Sequence, residues 1–289
     1  MVDIYHVKAN KIHHSAEVSM NTDSVYYDSW KEDRDLILEY NQTSLKDATM
    51  SNILGIGVDN LTRTQAVVKV LKMIEEGGVH HVIPMNPYKL HRYKTNSDLN
   101  LIASKADMHI ATGAGLAWAS KMLGSPLKER IHLMSFIMDL IRIAEIKEYT
   151  VFMVGSKAEI VERAYINIRK SFPKVRIVGR HGGYFDESRE KSVIEAMRKS
   201  EANIILVGMG FPKEDKWIYK IHNEFKNTVF VNVGGSIDVI SGEIMKAPPF
   251  FMQHGLEWFY RIITRPWRIG RMIRLLLFFL QVVWGRIVR

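Results

Sequence analysis

Cysteine is absent from the 289-residue sequence, which excludes disulfides, cysteine-ligated metal sites and thiol nucleophiles. That absence fits a reducing compartment. The N-terminal MVDIYHVKANKIHHSAEVSM has no apolar core of the kind a secretory signal requires, so export by that route is not expected. Long apolar runs are also missing. The most apolar block, LLLFFLQVVW at residues 275–284, covers ten residues, and a membrane-spanning helix needs about 20. No internal repeat is apparent. Acids are outnumbered by Lys and Arg, 31 to 40, for a formal net charge of +9.

The placement of that charge is informative. Six of the nine excess charges lie in residues 257–289, where seven arginines face one acid, Glu257. A nucleic-acid-binding protein usually spreads its basic residues over a folded face, so charge concentrated in one apolar appendage argues against that partner. At about 100° per residue, Arg261, Arg265 and Arg268 fall on one side of a helix, with Arg271 flanking them. Trp258, Phe259, Trp267 and Met272 add apolar and interfacial side chains. This pattern predicts an amphipathic helix lying in the headgroup layer of an anionic membrane. The alternative is a C-terminal helix packed on its own domain or on another subunit.

In the body of the chain, short apolar runs alternate with amphipathic stretches of helical length. HHVIPMN (80–86), MHIAT (108–112), YTVFMVG (149–155), VRIVG (175–179), NIILVGMG (203–210) and TVFVNVGG (228–235) read as buried strands. KAEIVERAYINIRKSF and ESREKSVIEAMRKS are typical of the helices between them. The alternation predicts an α/β fold with a mostly parallel sheet and helices on both faces. Residues 1–50 are polar and poorly periodic, with one candidate helix near residues 30–40, and read as a partly disordered extension. His13 with His14, and Asp33 with Asp35, have no partner at ligand spacing and read as solvated polar residues.

Ligands of such sheets bind beyond the carboxyl ends of the strands. After the second run, ATGAG (111–115) is a Gly-x-Gly turn that opens a helix. It either cradles a phosphate on backbone N–H groups or uses glycine for steric reasons alone. Gly182 and Gly183 precede Tyr184 and Phe185, which either stack on a base or sugar or fill the core. Pro212 starts a helix whose first turn carries Lys213, Glu214 and Asp215.

The segments HGGYF, GMGFPKEDKW, VGGSIDVISG, KAPPFFMQHGLEWFYR and GSPLKER, taken together, resemble the WecG/TagA/CpsF family of bacterial glycosyltransferases. The resemblance covers residues 53–274. It implies a Rossmann-like α/β transferase without a metal-binding Asp-x-Asp motif and with no cofactor. The reaction it implies moves an N-acetylmannosamine-type sugar from a UDP donor to a polyprenyl-diphosphate-linked amino sugar, for teichoic acid, common antigen or capsule. The implied organisation is an extension (1–50), a transferase domain (51–250) and a basic amphipathic appendage (251–289). That appendage would hold the protein peripherally on the inner, cytoplasmic face of the plasma membrane. The implied partners are the UDP-sugar, the polyprenyl-diphosphate glycolipid and the anionic membrane surface. Family members can also self-associate, which adds a homo-oligomer.

Site residues follow from the same resemblance. Arg261, Arg268 and Arg271 match the family pattern EW-x-YR…P-x-R-x-x-R and are expected near the diphosphate, since guanidinium groups fork onto phosphate oxygens and stay charged. Asn86 and Arg130 are expected in the acceptor or transfer pocket. The nucleotide side is expected around Gly183 and Tyr184, around Gly210, Pro212 and Lys213, and around Gly235 and Asp238. Asp238 and Ser241 read alternatively as turn or capping residues.

Departures from the family pattern cluster at the strand ends. T-P-N becomes Pro84-Met85-Asn86, and D-G, whose aspartate is the favoured general base, becomes Thr112-Gly113. R-x-x-G-x-D keeps Arg130 but has Ser135 at the acid, and P-K-Q-E becomes Pro212-Lys213-Glu214-Asp215. A base taking the acceptor proton is worth about 10²–10⁴ in rate, and threonine does not supply one at neutral pH. Three expectations compete: a replacement base, His132 or Glu214; transfer driven by positioning and arginine stabilisation alone; or a catalytically impaired paralogue that binds nucleotide sugar, lipid or a partner transferase. A nicotinamide-dependent oxidoreductase is not expected, because the glycine turns lack the full G-x-G-x-x-G and ribose-binding acid.

Overall fold

The computed structural model describes residues 33–245, 248–264 and 270–288. In chain order its elements are α1 (Asp33–Gln42), β1 (Thr49–Ile53), β2 (Ile56–Asn60), α2 (Arg63–Glu76), β3 (Val79–Met85), α3 (Pro87–Thr95), α4 (Ser97–Ser104), β4 (Met108–Ala111), α5 (Ala114–Met122), α6 (Leu133–Ile146) and β5 (Thr150–Gly155). There follow α7 (Ala158–Ser171), β6 (Arg176–His181), α8 (Glu187–Lys199), β7 (Ile204–Gly208), α9 (Lys213–Ile221), β8 (Thr228–Asn232), α10 (Ser236–Ile240), α11 (Pro249–Gln253), α12 (Glu257–Ile263) and α13 (Gly270–Ile287).

One eight-stranded sheet has the order β1-β2-β4-β3-β8-β7-β5-β6. β1 and β2 pair antiparallel, and every other neighbouring pair is parallel. The fold is therefore α/β and Rossmann-like. β3 to β8 are the six expected strands, but β6, expected to be buried, lies at the sheet edge with no buried residue. The β1–β2 hairpin escapes a search for buried runs because β1 reads TMSNI, in which only Ser51 and Ile53 are buried.

Side chains of successive strand residues point to opposite faces, and the helices cover both. On one face Val82, Ile110, Val151, Leu206 and Val231 meet α1, α2, α6, α7 and α10 in a continuous core. The opposite face is divided. Ile83, Met85 and Ala111 lie under α3, α5 and α13, whereas Phe152, Ile205 and Phe230 lie under α8 and α9. Each fully buried Leu, Ile or Phe contributes about 2 kcal/mol of transfer free energy, and α6 alone buries Phe136, Ile137, Leu140, Ile141 and Ile143.

α1 is the helix expected near residues 30–40; its Leu36 and Tyr40 are buried in the first core, so ordered packing reaches back into residues read as an extension. The C-terminal segment is three helices instead of one amphipathic rod. α12 ends at Ile263, ahead of Pro266, whose missing N–H and fixed φ oppose helix continuation. Arg265 and Arg268, projected onto one helix side with Arg261, lie outside the described residues. α13 packs Phe278 and Val282 into the second core, a docking that a surface-lying helix alone would not make. Among the described residues no helix is long and apolar enough to cross a membrane.

Candidate active site

The chain runs outward from β3 to β4 on one side and from β5 to β6 on the other, and β8 and β7 fill the space between. The carboxyl ends of these strands therefore border one crevice. On the β3–β4 side, Asn86 caps α3: its Oδ1 accepts the N–H of Lys89 at 2.9 Å, and Pro87 occupies the first turn, where its missing N–H costs nothing. Thr112 is buried. Its Oγ1 donates to the carbonyl of Met85 at 2.8 Å, so the hydroxyl proton is directed into the sheet. Gly113 follows with φ +85°, a backbone that glycine adopts without strain, and the space beside its Cα is bordered by Asn86 and Pro87.

Arg130 and His132 reach the same place from the loop before α6. Between them, Ile131 bridges Thr112 and donates its N–H to Ala111 O at 3.0 Å. Arg130 Nη2 donates to His132 Nε2 at 2.8 Å. Because a guanidinium has only donors, that contact turns the Nε2 lone pair toward Arg130. The turn at Gly255, between α11 and α12, lies against Ala114 and Arg130. Neighbours of Arg130 anchor its loop: Glu129 accepts the N–H of Arg63 at 2.8 Å, and Lys128 Nζ reaches Asp47 Oδ2 at 2.6 Å. Asp47 belongs to the segment read as an extension. Asn86, Thr112, Gly113, Arg130 and His132 are thus brought together.

The other side of the crevice is built from close backbone approaches. Gly155 has φ +148°, and a Cβ there would overlap the carbonyl oxygen of Gly208. Ser156 N donates to Gly208 O at 3.0 Å, and Gly183 N to Ser156 O at 2.8 Å. Ser156 Oγ donates to Asp238 Oδ1 at 2.5 Å, which joins the end of β5 to α10. Lys213 Nζ donates to Gly183 O at 2.9 Å and lies 5.7 Å from the centre of the Tyr184 ring. The aromatic pair divides its roles: Tyr184 is 78% exposed, whereas Phe185 packs between His181 and Trp217. Ser241 is a helix-end residue, its hydroxyl donating to Asp238 O at 2.9 Å. Gly183, Tyr184, Gly210, Pro212 and Gly235 lie on the turns of this side, Lys213 opens α9 and Asp238 lies in α10.

Between the two sides lies a buried polar network that sequence reading missed. Lys89 Nζ contacts Glu214 Oε1 at 3.3 Å and Asp215 Oδ1 at 3.4 Å. Asp215 Oδ1 also accepts from Tyr93 OH at 2.7 Å and Asn232 Nδ2 at 2.8 Å. His81 Nε2 meets Asn232 Oδ1 at 3.0 Å. Glu214 is 1% exposed and Asp215 is fully enclosed. Burial pushes the Glu214 carboxyl up, with Lys89 pulling the other way. Burial lowers His81 to about 4, against the opposing hydrogen bond to Asn232. Glu214 Oε2 accepts the N–H of Gly210 at 3.0 Å, so neither oxygen faces the crevice unengaged. The available sequence signal was Lys89 four residues before Tyr93 on a helix face, opposite two adjacent acids in the first turn of α9. Among the described residues no group of three or more His, Asp or Glu is placed to hold a metal ion.

Residues 51–289 match the Glycosyl transferase WecG/TagA/CpsF family. The chain belongs to that family. It is 30% identical over 233 residues to the N-acetylglucosaminyldiphosphoundecaprenol N-acetyl-beta-D-mannosaminyltransferase of Staphylococcus aureus strain NCTC 8325 / PS 47, covering 80% of this chain and 91% of the relative. The corresponding protein of strain MRSA252 is 29% identical over the same coverage. The WecG/TagA/CpsF match begins in β1 and extends through α13, so it includes the hairpin and the C-terminal helices.

In this WecG/TagA/CpsF member, α13 docks the C-terminal region on the body of the fold. Arg274 Nη1 donates to Tyr88 OH at 3.1 Å, Gln281 meets His91 at 3.3 Å, and Phe279 stands edge-on to Trp118 with ring centres 5.0 Å apart. These contacts seat α13 on α3 and α5, whose N-termini carry Asn86 and Gly113. Its outer side exposes Ile273, Leu276, Leu280, Trp284 and Ile287. Arg268 lies outside the described residues, as do the side chains of Arg261 and Arg271.

Proposed function

We propose that the protein transfers an N-acetylmannosamine-type sugar from a UDP donor to a polyprenyl-diphosphate-linked amino sugar. The observation that carries this reading is the family match over the whole region that builds both sides of the crevice. The name of the Staphylococcus aureus relative, which specifies a lipid-diphosphate acceptor and an N-acetylmannosaminyl group, supports the substrate class. In this reading the glycine-packed turns around Gly183, Gly210 and Gly235 receive the nucleotide. The exposed Tyr184 ring is its stacking platform, and Lys213 lies beside that ring.

The acceptor hydroxyl attacks the anomeric carbon as the bond to UDP breaks and its electron pair leaves on phosphate oxygen. Arg130 with Asn86 orients the acceptor side, and Arg261, Arg268 and Arg271 neutralise the diphosphate. Thr112 occupies the place of the usual base but does not act as one, because its hydroxyl donates to Met85 O. His132 is the favoured proton acceptor. Its Nε2 lone pair points at Arg130 and is released when Arg130 turns to a phosphate. Glu214 supports the site and does not act as base, since both its oxygens are engaged inside the protein.

The appendage, residues 251–289, is assigned to the membrane surface. The large apolar side chains exposed on α13, in a stretch whose sequence carries seven arginines between 257 and 289, suit an anionic headgroup layer, and the polyprenyl acceptor lies there. The extension, residues 1–50, and the transferase domain, residues 51–250, complete the division, with the protein on the inner face.

The test is turnover by the full chain with polyprenyl-diphospho-N-acetylglucosamine in vesicles and a panel of UDP-sugars, the lipid product being read by mass spectrometry. His132→Ala is expected to lose about 10² or more in kcat; wild-type turnover from that variant would remove His132 as base and leave positioning and charge stabilisation. The committed Thr112 hydroxyl favours one second reading, an impaired paralogue. UDP-sugar binding with no lipid product from any donor would select it.

A further inference from the structure

The network between the two sides of the crevice joins one cation to two carboxyl groups. Lys89, Glu214 and Asp215 are all buried, and a charge withdrawn from water is tolerated only where partners compensate it. Each member also holds a piece of the site. Lys89 stands three residues beyond Asn86, whose side chain accepts its N–H at 2.9 Å. Glu214 holds the N–H of Gly210 at 3.0 Å. Asp215 is tied to Tyr93 of α3 and to Asn232 at the end of β8. The ammonium of Lys89 lies 5.2 Å from the centre of the Phe211 ring, in the turn between Gly210 and α9. One side chain therefore links the turn after β3 to the turn after β7, from opposite sides of the crevice.

We propose that Lys89 is a positioning residue for the transfer reaction: its buried ammonium compensates the enclosed Glu214 and Asp215, and that compensation keeps the Asn86 turn and the Gly210 turn in place. The kinetic part of this inference rests on the glycosyltransferase reading; the structural part does not. Lys89 touches no substrate in this account. It acts through Asn86, which faces the acceptor, and through Gly210, which faces the nucleotide. The attribution to charge is specific. Removal of the cation leaves two enclosed carboxyl groups without compensation, whereas removal of the cation together with the Glu214 charge leaves a single carboxylate, whose Oδ1 is held by Tyr93 and Asn232.

The experiment compares Lys89→Met, Glu214→Gln and the double variant in the full chain, by turnover and by amide hydrogen exchange. Lys89→Met is expected to lose about a hundredfold in kcat, and its amides at residues 86–90 and 210–214 to exchange at least about tenfold faster. The double variant is expected to return both turns to wild-type protection and kcat to within about tenfold of wild type. Glu214→Gln alone keeps the Lys89–Asp215 pair and is expected to stay within the same range. If Lys89→Met does not fold, a folded and protected double variant gives the same answer.

Unchanged exchange at either turn in Lys89→Met overturns the proposal. So does a double variant that remains unprotected, since the effect then is not one of charge compensation. Inactivity of Glu214→Gln with both turns protected assigns Glu214 to the chemistry and also overturns it. A wild-type chain that makes no product with any donor sinks the transferase reading, while the exchange comparison still decides whether Lys89 joins the two turns.

Discussion

The two sides of the crevice are built differently. The turns after β5, β6, β7 and β8 are locked backbone to backbone: Ser156 to Gly208, Gly183 to Ser156, and Val233 to Val207 at 2.8 Å. The turns after β3 and β4 carry backbone bonds too, Thr112 N–H to Met85 O at 2.8 Å and Ile131 N–H to Ala111 O at 3.0 Å, but add more side chains to them: Asn86 as a cap, Thr112 on a carbonyl, and Arg130 on His132. Where backbone meets backbone, a Cβ has nowhere to go, so glycines hold the motif in place. Where side chains do the joining, one residue can replace another without moving the chain. The departures from the family pattern follow this division: Pro84, Thr112 and Ser135 lie on the side-chain-built half, and HGGYF and VGGSIDVISG on the other. Glu214 departs at the junction, where Lys89 answers its charge.

Substitutions at the two sides should therefore differ in cost. Gly155→Val is expected to be the most damaging, at about 4 kcal/mol, because it adds a side chain at φ +148° against the Gly208 backbone. Denaturant unfolding measures it, and a loss under 1 kcal/mol would break the contrast. The junction gives the next effect. His81, held near pKa 4 by burial against an ordinary value of 6.5, stays neutral in the folded chain while the unfolded chain takes up a proton. Its stability contribution is complete above pH 6.5 and is lost as pH falls toward 4, by about 3 kcal/mol. His81→Gln should flatten the stability curve over that window; parallel curves for the two proteins would contradict the assignment.

Smaller effects are expected on the side-chain-built half and at the surface. Thr112→Val, of nearly the same volume, removes one buried hydroxyl bond and should cost about 1 kcal/mol. It should leave the adjacent turn in place, so nucleotide binding measured by calorimetry should not change. Trp284→Ala, on the exposed side of α13, should cost under about 0.5 kcal/mol in unfolding. It should nonetheless weaken sedimentation with anionic vesicles, and undiminished vesicle binding would remove that face from the membrane contact.

The parts of this molecule visible in its sequence are those encoded locally. β3, β4, β5, β7 and β8 read as apolar runs because both faces of an inner parallel strand are covered, whereas the edge strand β6, RIVGRH, has no buried residue; the glycine motifs mark where the strand ends approach. The β1–β2 hairpin is partly exposed and leaves only Ile53, Ile56 and Val58 as its apolar signal. The Lys89–Glu214 contact joins residues 125 apart in sequence, and no local period encodes it. α13 shows both the strength and the limit of a composition argument. Its exposed Leu and Trp side chains were legible as an apolar surface, but Phe278 and Val282, four residues apart, face the protein's own core. Composition registers both sets alike.

The most direct test of the account is the lipid product itself. Full-length protein, given UDP-N-acetylmannosamine and polyprenyl-diphospho-N-acetylglucosamine in anionic vesicles, should yield a lipid extended by one N-acetylhexosamine, and Arg130→Ala should reduce its rate of formation by about 10². An unextended lipid in the presence of bound UDP-sugar, across the whole donor panel, would contradict it.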